Sequence, residues 1–238
     1  MQKTWFTAVA ALVLALCSAP LHAGQRAGSL ATTHVHAFHP ELKAALQDLK
    51  QALLAPRTPL AFDNGASAEN CAQYLNRLSA GQPEESVHGA SIRAEYLVCD
   101  AVRFIANEPF TLGTGTAPSH VAKALFERLD LRSFPSSLHN RADAQRHTLK
   151  QLLASAQVTM TPTSVEGETD EQAFSLHIAA VVRRPASSGN VKTRQSEWIV
   201  WVADEMKNGN YRSYRTLVVR PPTQGSGGRY TGWVYPPQ

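Results

Sequence analysis

Histidine is the residue type that crowds most visibly in this chain, with His34, His36 and His39 falling within six residues. Neighbouring imidazoles can capture a divalent or cupric ion. No carboxylate or thiolate beside them completes a ligand set, however, so adventitious binding is the expected outcome and no metal site is assigned. His88, His120 and His147 have no partners at metal-ligand spacing either. Ser136 and Ser137 lie close to His139, the raw material of a nucleophile and its base, but no Gly-x-Ser-x-Gly elbow is present and Ser137 fits a helix cap. Glu166, Glu168, Asp170 and Glu171 form an acidic cluster that reads as a solvated loop between strands, because it lacks the alternating ligands of a calcium loop. Leu112 to Pro118 carries two glycines that could cradle phosphate, but the Lys-Ser/Thr pair of a phosphate-binding loop is missing and the segment reads as a turn. No catalytic residue and no cofactor is assigned.

The elements that must position these residues are legible from periodicity. Leu42, Leu46, Leu49 and Leu53 recur at helical spacing, with Pro40 in the first turn and Pro56 at the end, which predicts one amphipathic helix. A second helix is expected from a Ser67 cap through Cys71, Tyr74 and Leu78, and a third from about Ala90 to Ala106 along Ile92, Tyr96, Cys99, Val102 and Ala106. Further helices are expected at about 119 to 130 and 137 to 155, the latter with Arg141, Asp143, Arg146 and Lys150 on a wet face.

From Val158 the period becomes two. Phe174, Leu176, Ile178, Ala180 and Val182 alternate with their neighbours, and a second strand follows from about Gln195 to Met206. Asn208-Gly209, flanked by extended runs, predicts a two-residue hairpin of the primed type. Pairing Lys207 with Asn210 brings Glu205 opposite Arg212, Ala203 opposite Tyr214, Trp201 opposite Thr216 and Glu197 opposite Arg220. Opposite charges then meet at both ends, and a one-residue slip separates both pairs. Trp198, Val200, Leu217 and Val219 are the expected core face. Trp201 and Tyr214, bordered by Arg212 and Arg220, fall on the other.

The fold expected is therefore α+β, with a helical N-terminal half of about five helices packed on a C-terminal antiparallel meander of about four strands. Residues 1–23 read as a signal peptide, with Lys3 ahead of an apolar run from Phe6 to Leu16 and a small-residue end at Ala23. Leu16 argues against lipid attachment at Cys17, and no stretch reaches the roughly 20 apolar residues of a spanning helix. Residues 24–39 read as a flexible leader, 40–220 as one domain (helical 40–155, β 156–220), and 221–238 as a Pro/Gly-rich aromatic tail able to fold over the sheet. Cys71 and Cys99 are the cysteines left after signal removal, and in an oxidising compartment they are expected to pair.

Charge is uneven. Residues 24–182 carry 13 basic and 16 acidic side chains, and 183–238 carry 9 and 3. The expectation is a soluble periplasmic or secreted protein of noncatalytic binding or inhibitory type. It would meet another protein or an anionic envelope component through Trp201, Tyr214, Arg212 and Arg220. Nucleic acid is disfavoured by export. A hydrolase acting on an envelope polymer and an envelope assembly factor are the alternatives.

Overall fold

In the computed structural model, residues 32–84, 90–115, 120–153, 157–185, 195–222 and 228–237 are described. The signal segment, Cys17, His88 and residues 24–31 of the leader lie outside them. The chain opens with strand β1 (Thr33–Ala37), then α1 (Pro40–Gln47) and α2 (Leu49–Leu54). A small hairpin of β2 (Leu60–Ala61) and β3 (Ser67–Ala68) precedes α3 (Cys71–Ser79). Next come α4 (Ala90–Arg93), a 3-10 turn at Ala94–Tyr96, α5 (Leu97–Ala106), β4 (Phe110–Leu112) and α6 (His120–Arg128). Two further 3-10 turns, Leu131–Ser133 and His139–Arg141, lead to α7 (Leu149–Leu152). The C-terminal strands are β5 (Gln157–Met160), β6 (Ser164–Glu168), β7 (Gln172–Arg184), β8 (Gln195–Met206), β9 (Arg212–Arg220) and β10 (Thr231–Tyr235).

The sheet is larger than the expected meander. Among the described residues eight strands join it, in the order β10-β9-β8-β7, after which β7 divides its free edge. Its first half pairs with β6, which carries β5, and its second half pairs with β1, which pairs in parallel with β4. A bulge between Ile178 and Ala180 marks the division. The bulged Ala179 carbonyl accepts from the N–H groups of Phe38 (2.8 Å) and His39 (3.2 Å), which turns the chain out of β1 into α1. Residues 33–37, read as part of a flexible leader, thus form a strand of the sheet, with Thr33 and Val35 buried. Thr231–Tyr235, read as part of the tail, extends the sheet beyond β9. Glu166 and Glu168 sit on β6 rather than in a loop.

The hairpin register agrees with the charge argument pair for pair, Glu205 with Arg212 through Trp198 with Val219. Glu197 accepts from Arg220 at 2.8 Å. The turn differs from the primed type I′, since Gly209 does not take the left-handed backbone which that turn requires at its second position.

Both faces of the sheet are core. On one, Leu42, Leu46, Tyr74, Tyr96, Val102 and Ile105 from the N-terminal helices cover Ala180, Val182, Ile199, Trp201 and Val218. On the other, Leu125, Leu129, Leu131, Phe134, Leu138 and Leu149 cover Phe174, Leu176, Ile178, Trp198, Val200 and Leu217. Burying each such aliphatic or aromatic side chain contributes roughly 1.5 to 3 kcal/mol.

Several helices are shorter than their periodicity suggested. Asp48 breaks the first one, its carboxylate capping the Gln51 N–H at 3.0 Å. Asn70, not Ser67, caps α3. Most of 137–155 is irregular, with α7 limited to one turn opened by a Thr148–Gln151 capping box. Among the described residues no helix is long and apolar enough to cross a membrane.

Candidate functional site: an arginine-lined cleft at the end of β9

Cys71 and Cys99 form a disulfide, Cα to Cα 5.2 Å, that ties α3 to α5. These helices carry the inner wall of a cleft of about 550 Å³, whose opposite side is the first half of β9 and the end of β10. The wall is organised by a buried charge cluster. Asp100 lies in the apolar sequence of α5 and is fully buried, so it must be paired. Arg93 of α4 meets Asp100 through Nη2 at 2.5 Å and Glu84 through Nε at 3.0 Å, while the Tyr74 hydroxyl lies 3.0 Å from an oxygen of each carboxylate. Burial pushes the Asp100 carboxyl up against the opposing pull of Arg93, and it pushes the Tyr74 phenol up as well. Arg93 Nη1 is buried with no hydrogen-bond partner among the described residues.

Three more arginines share the cleft: Arg103 of α5, and Arg212 and Arg215 of β9. Arg212 stands 4.0 Å from Glu205, and Arg215 Nε donates to Ser213 Oγ at 2.9 Å. Arg103 has no carboxylate within ion-pair distance among the described residues. Leu78, Pro83, Val234, Tyr235 and Pro236 supply apolar walls. Tyr214 adds a phenol pushed up to about 12 by burial and by its hydrogen bond to Glu205 Oε1 at 2.6 Å. The chemistry on offer is guanidinium recognition of anions beside apolar and aromatic surface, in a partly desolvated hollow where charge pairing is less screened than on open surface.

The four residues singled out from sequence are not one plate. Arg212 and Tyr214 line the cleft. Trp201 shares their face but is only 8% exposed, with the His39 ring packed edge-on at 4.4 Å. Arg220, at the far end of β9, pairs with Glu197 and stands over the Trp233 ring at 4.2 Å, while Arg184 takes the second Glu197 oxygen at 3.0 Å. The described part of the tail, read as able to fold over Trp201 and Tyr214, pairs with β9 at the sheet edge and sends Trp233 and Tyr235 to the same face. Arg93, Arg103 and Tyr235 were not singled out from sequence; Asp100, a carboxylate inside the apolar sequence of α5, is the signal that could have pointed to a buried cationic partner such as Arg93.

The other sequence candidates resolve into structure. Ser137 donates its hydroxyl to Asp204 Oδ1 at 2.6 Å, and His139 Nδ1 lies 3.3 Å from the Phe134 carbonyl, so neither forms a nucleophile–base pair with the other. His34 Nδ1 is 3.0 Å from the Thr111 hydroxyl. A Cβ at Gly113 would stand 2.5 Å from the His36 ring, so close packing accounts for that glycine. A smaller hollow of about 350 Å³ gathers Glu166, Glu168, Ser175, His177 and Glu205. Its carboxylates Glu166 and Glu168 are more than half exposed, and a hydrogen bond from Lys207 holds Glu168 below the usual carboxylate range. No group of three or more metal-ligating side chains occurs among the described residues. Compared with protein-family models, curated proteins and solved structures, the chain has no significant match.

Proposed function

We propose that the protein is an exported, noncatalytic binding protein whose arginine-lined cleft between α3–α5 and the β9–β10 corner takes an anionic partner. The carrying observation is Arg103, which has no carboxylate within ion-pair distance among the described residues and shares a partly apolar hollow of about 550 Å³ with Arg212 and Arg215. Two further features support the reading. The wall that carries Arg103 is rigidified by the disulfide and by the Arg93–Asp100 pair, so the cleft is preorganised. The segment that supplies Arg212 and Arg215 also lies in the basic quarter of the chain, which favours encounter with an acidic surface.

Calorimetric titration with poly-L-glutamate, with poly-L-lysine as the control, tests it. The expected result is binding of the polyglutamate alone, weakened on raising salt. Arg103→Glu with Arg212→Glu is expected to weaken it at least tenfold without moving the unfolding midpoint by more than a few degrees. Equal binding by wild type and variant, or none by either, rejects the assignment.

A further inference from the structure

We infer that the cleft's occupant is an extended acidic peptide segment of a second protein, added as a strand to the part of β9 that β10 leaves open. This rests on the anion-binding reading and goes beyond it by naming the recognition mode. β9 runs from Arg212 to Arg220, but β10 pairs only with Thr216 to Arg220. The Met206 N–H donates to the Tyr211 carbonyl at 3.0 Å, which sets the alternation along β9. Residues 211, 213 and 215 turn their main-chain groups toward β8, and 212, 214 and 216 turn theirs toward β10.

β10 ends at Tyr235, opposite Thr216. The next two residues are Pro236 and Pro237, which carry no N–H and cannot donate to the Tyr214 carbonyl. Among the described residues, no backbone hydrogen bond is made on that side by Arg212 or Tyr214. A strand edge whose main-chain donors and acceptors at Arg212 and Tyr214 have no backbone partner among the described residues therefore lies on the β9 side of the cleft, and strand addition is the recognition mode that such an edge serves.

The side chains around the edge set the composition. A residue placed opposite Arg212 lies on the face shared with Tyr214, and one placed opposite Ser213 lies on the other face, beside Arg215. Carboxylates on both faces of the incoming strand match these guanidiniums. A compact inorganic anion can pair with Arg103 and Arg212 but leaves the main-chain groups of the edge unmatched.

Fluorescence anisotropy separates the two levels. The probes are a labelled acetyl-pentaglutamate amide and the same peptide N-methylated at every residue, equal in charge but without N–H donors. The unmethylated peptide is expected to bind at least tenfold more tightly, and hydrogen exchange at the Tyr214 amide is expected to slow on its addition. Equal affinity for the two peptides, with both lost in the Arg103→Glu, Arg212→Glu variant, overturns strand addition and leaves anion binding standing. Binding of neither peptide, or binding indifferent to those substitutions, overturns both.

Discussion

At the scale of single residues, Asp204 decides how the second helical layer is attached. Its buried carboxylate accepts from the Ser137 N–H at 2.7 Å, the Ser137 hydroxyl at 2.6 Å, Gln172 Nε2 at 2.9 Å and the Tyr211 hydroxyl at 3.1 Å. Asp204→Ala leaves these donors without their acceptor, and urea unfolding is expected to show a loss of about 3 kcal/mol; a change under 1 kcal/mol would contradict the assigned role. His39 is the corresponding residue on the other face. Burial against Trp201 lowers its imidazole pKa, Glu41 opposes that, and His177 lowers it further. In the unfolded chain the group titrates near 6.5. Its stabilising contribution is therefore present above about pH 6.5 and is lost as the pH falls through the lower folded value. Thermal midpoints measured from pH 7.5 down to 5 are expected to fall less steeply in His39→Phe than in wild type. The Glu197–Arg220 pair was legible because the hairpin register sets the two side chains opposite each other, and the Cys71–Cys99 pair because only two cysteines remain beyond the apolar N-terminal run. The fate of Trp201 was not, because alternation says which face a side chain takes and nothing of what arrives to cover it.

At the scale of elements, the disulfide closes a loop of 28 residues between the helices that form the cleft wall. Replacing both cysteines by serine is expected to lower the unfolding free energy by roughly 3 to 4 kcal/mol in the chain-entropy model. The loss should be accompanied by weaker polyglutamate binding, since α3 and α5 then move independently. Unchanged stability and affinity would show that the Arg93–Asp100–Glu84 cluster alone holds the wall. The β8–β9 hairpin was readable in register because a slip separates two ion pairs. The 137–155 segment was misread because its charges fit a helical face while Ser137 had a stronger partner in Asp204, 67 residues away, which no local pattern contains. Asp48 gave a similar local conflict inside the Leu42–Leu53 repeat, and the cap it forms at Gln51 won over continuous periodicity.

For the whole molecule, the decisive feature is a sheet covered on both faces and built outward from both ends of the chain. β7 from Ile178 to Val182 and β8 from Trp198 to Val202 are buried without alternation, the pattern of strands enclosed between two layers. That run of Ile-Ala-Ala-Val-Val, followed later by Trp-Ile-Val-Trp-Val, was visible in the sequence and is what a one-faced meander fails to explain. The joining of β1 and β10 was less visible, because strands of five residues acquire their meaning only from the edge they meet. β10 brings Gly232 over Leu217 and Val219, and Tyr230 stacks on Trp198 at 4.5 Å. Removing residues 229–238 is therefore expected to expose this core. Circular dichroism melts should show a midpoint at least 10 °C lower, or no cooperative transition, and an unaltered melt would refute the packing described.

The assignment of the cleft is tested most directly by locating a bound acidic strand. A pentaglutamate peptide carrying a nitroxide label at one end is titrated into isotopically labelled protein, and the broadening of backbone amide signals is mapped. Loss of intensity centred on residues 212–215 and the Tyr235 amide, abolished by Arg103→Glu with Arg212→Glu, is the expected result. Broadening centred on the Glu166–His177 hollow, or spread evenly over the basic surface, would contradict it.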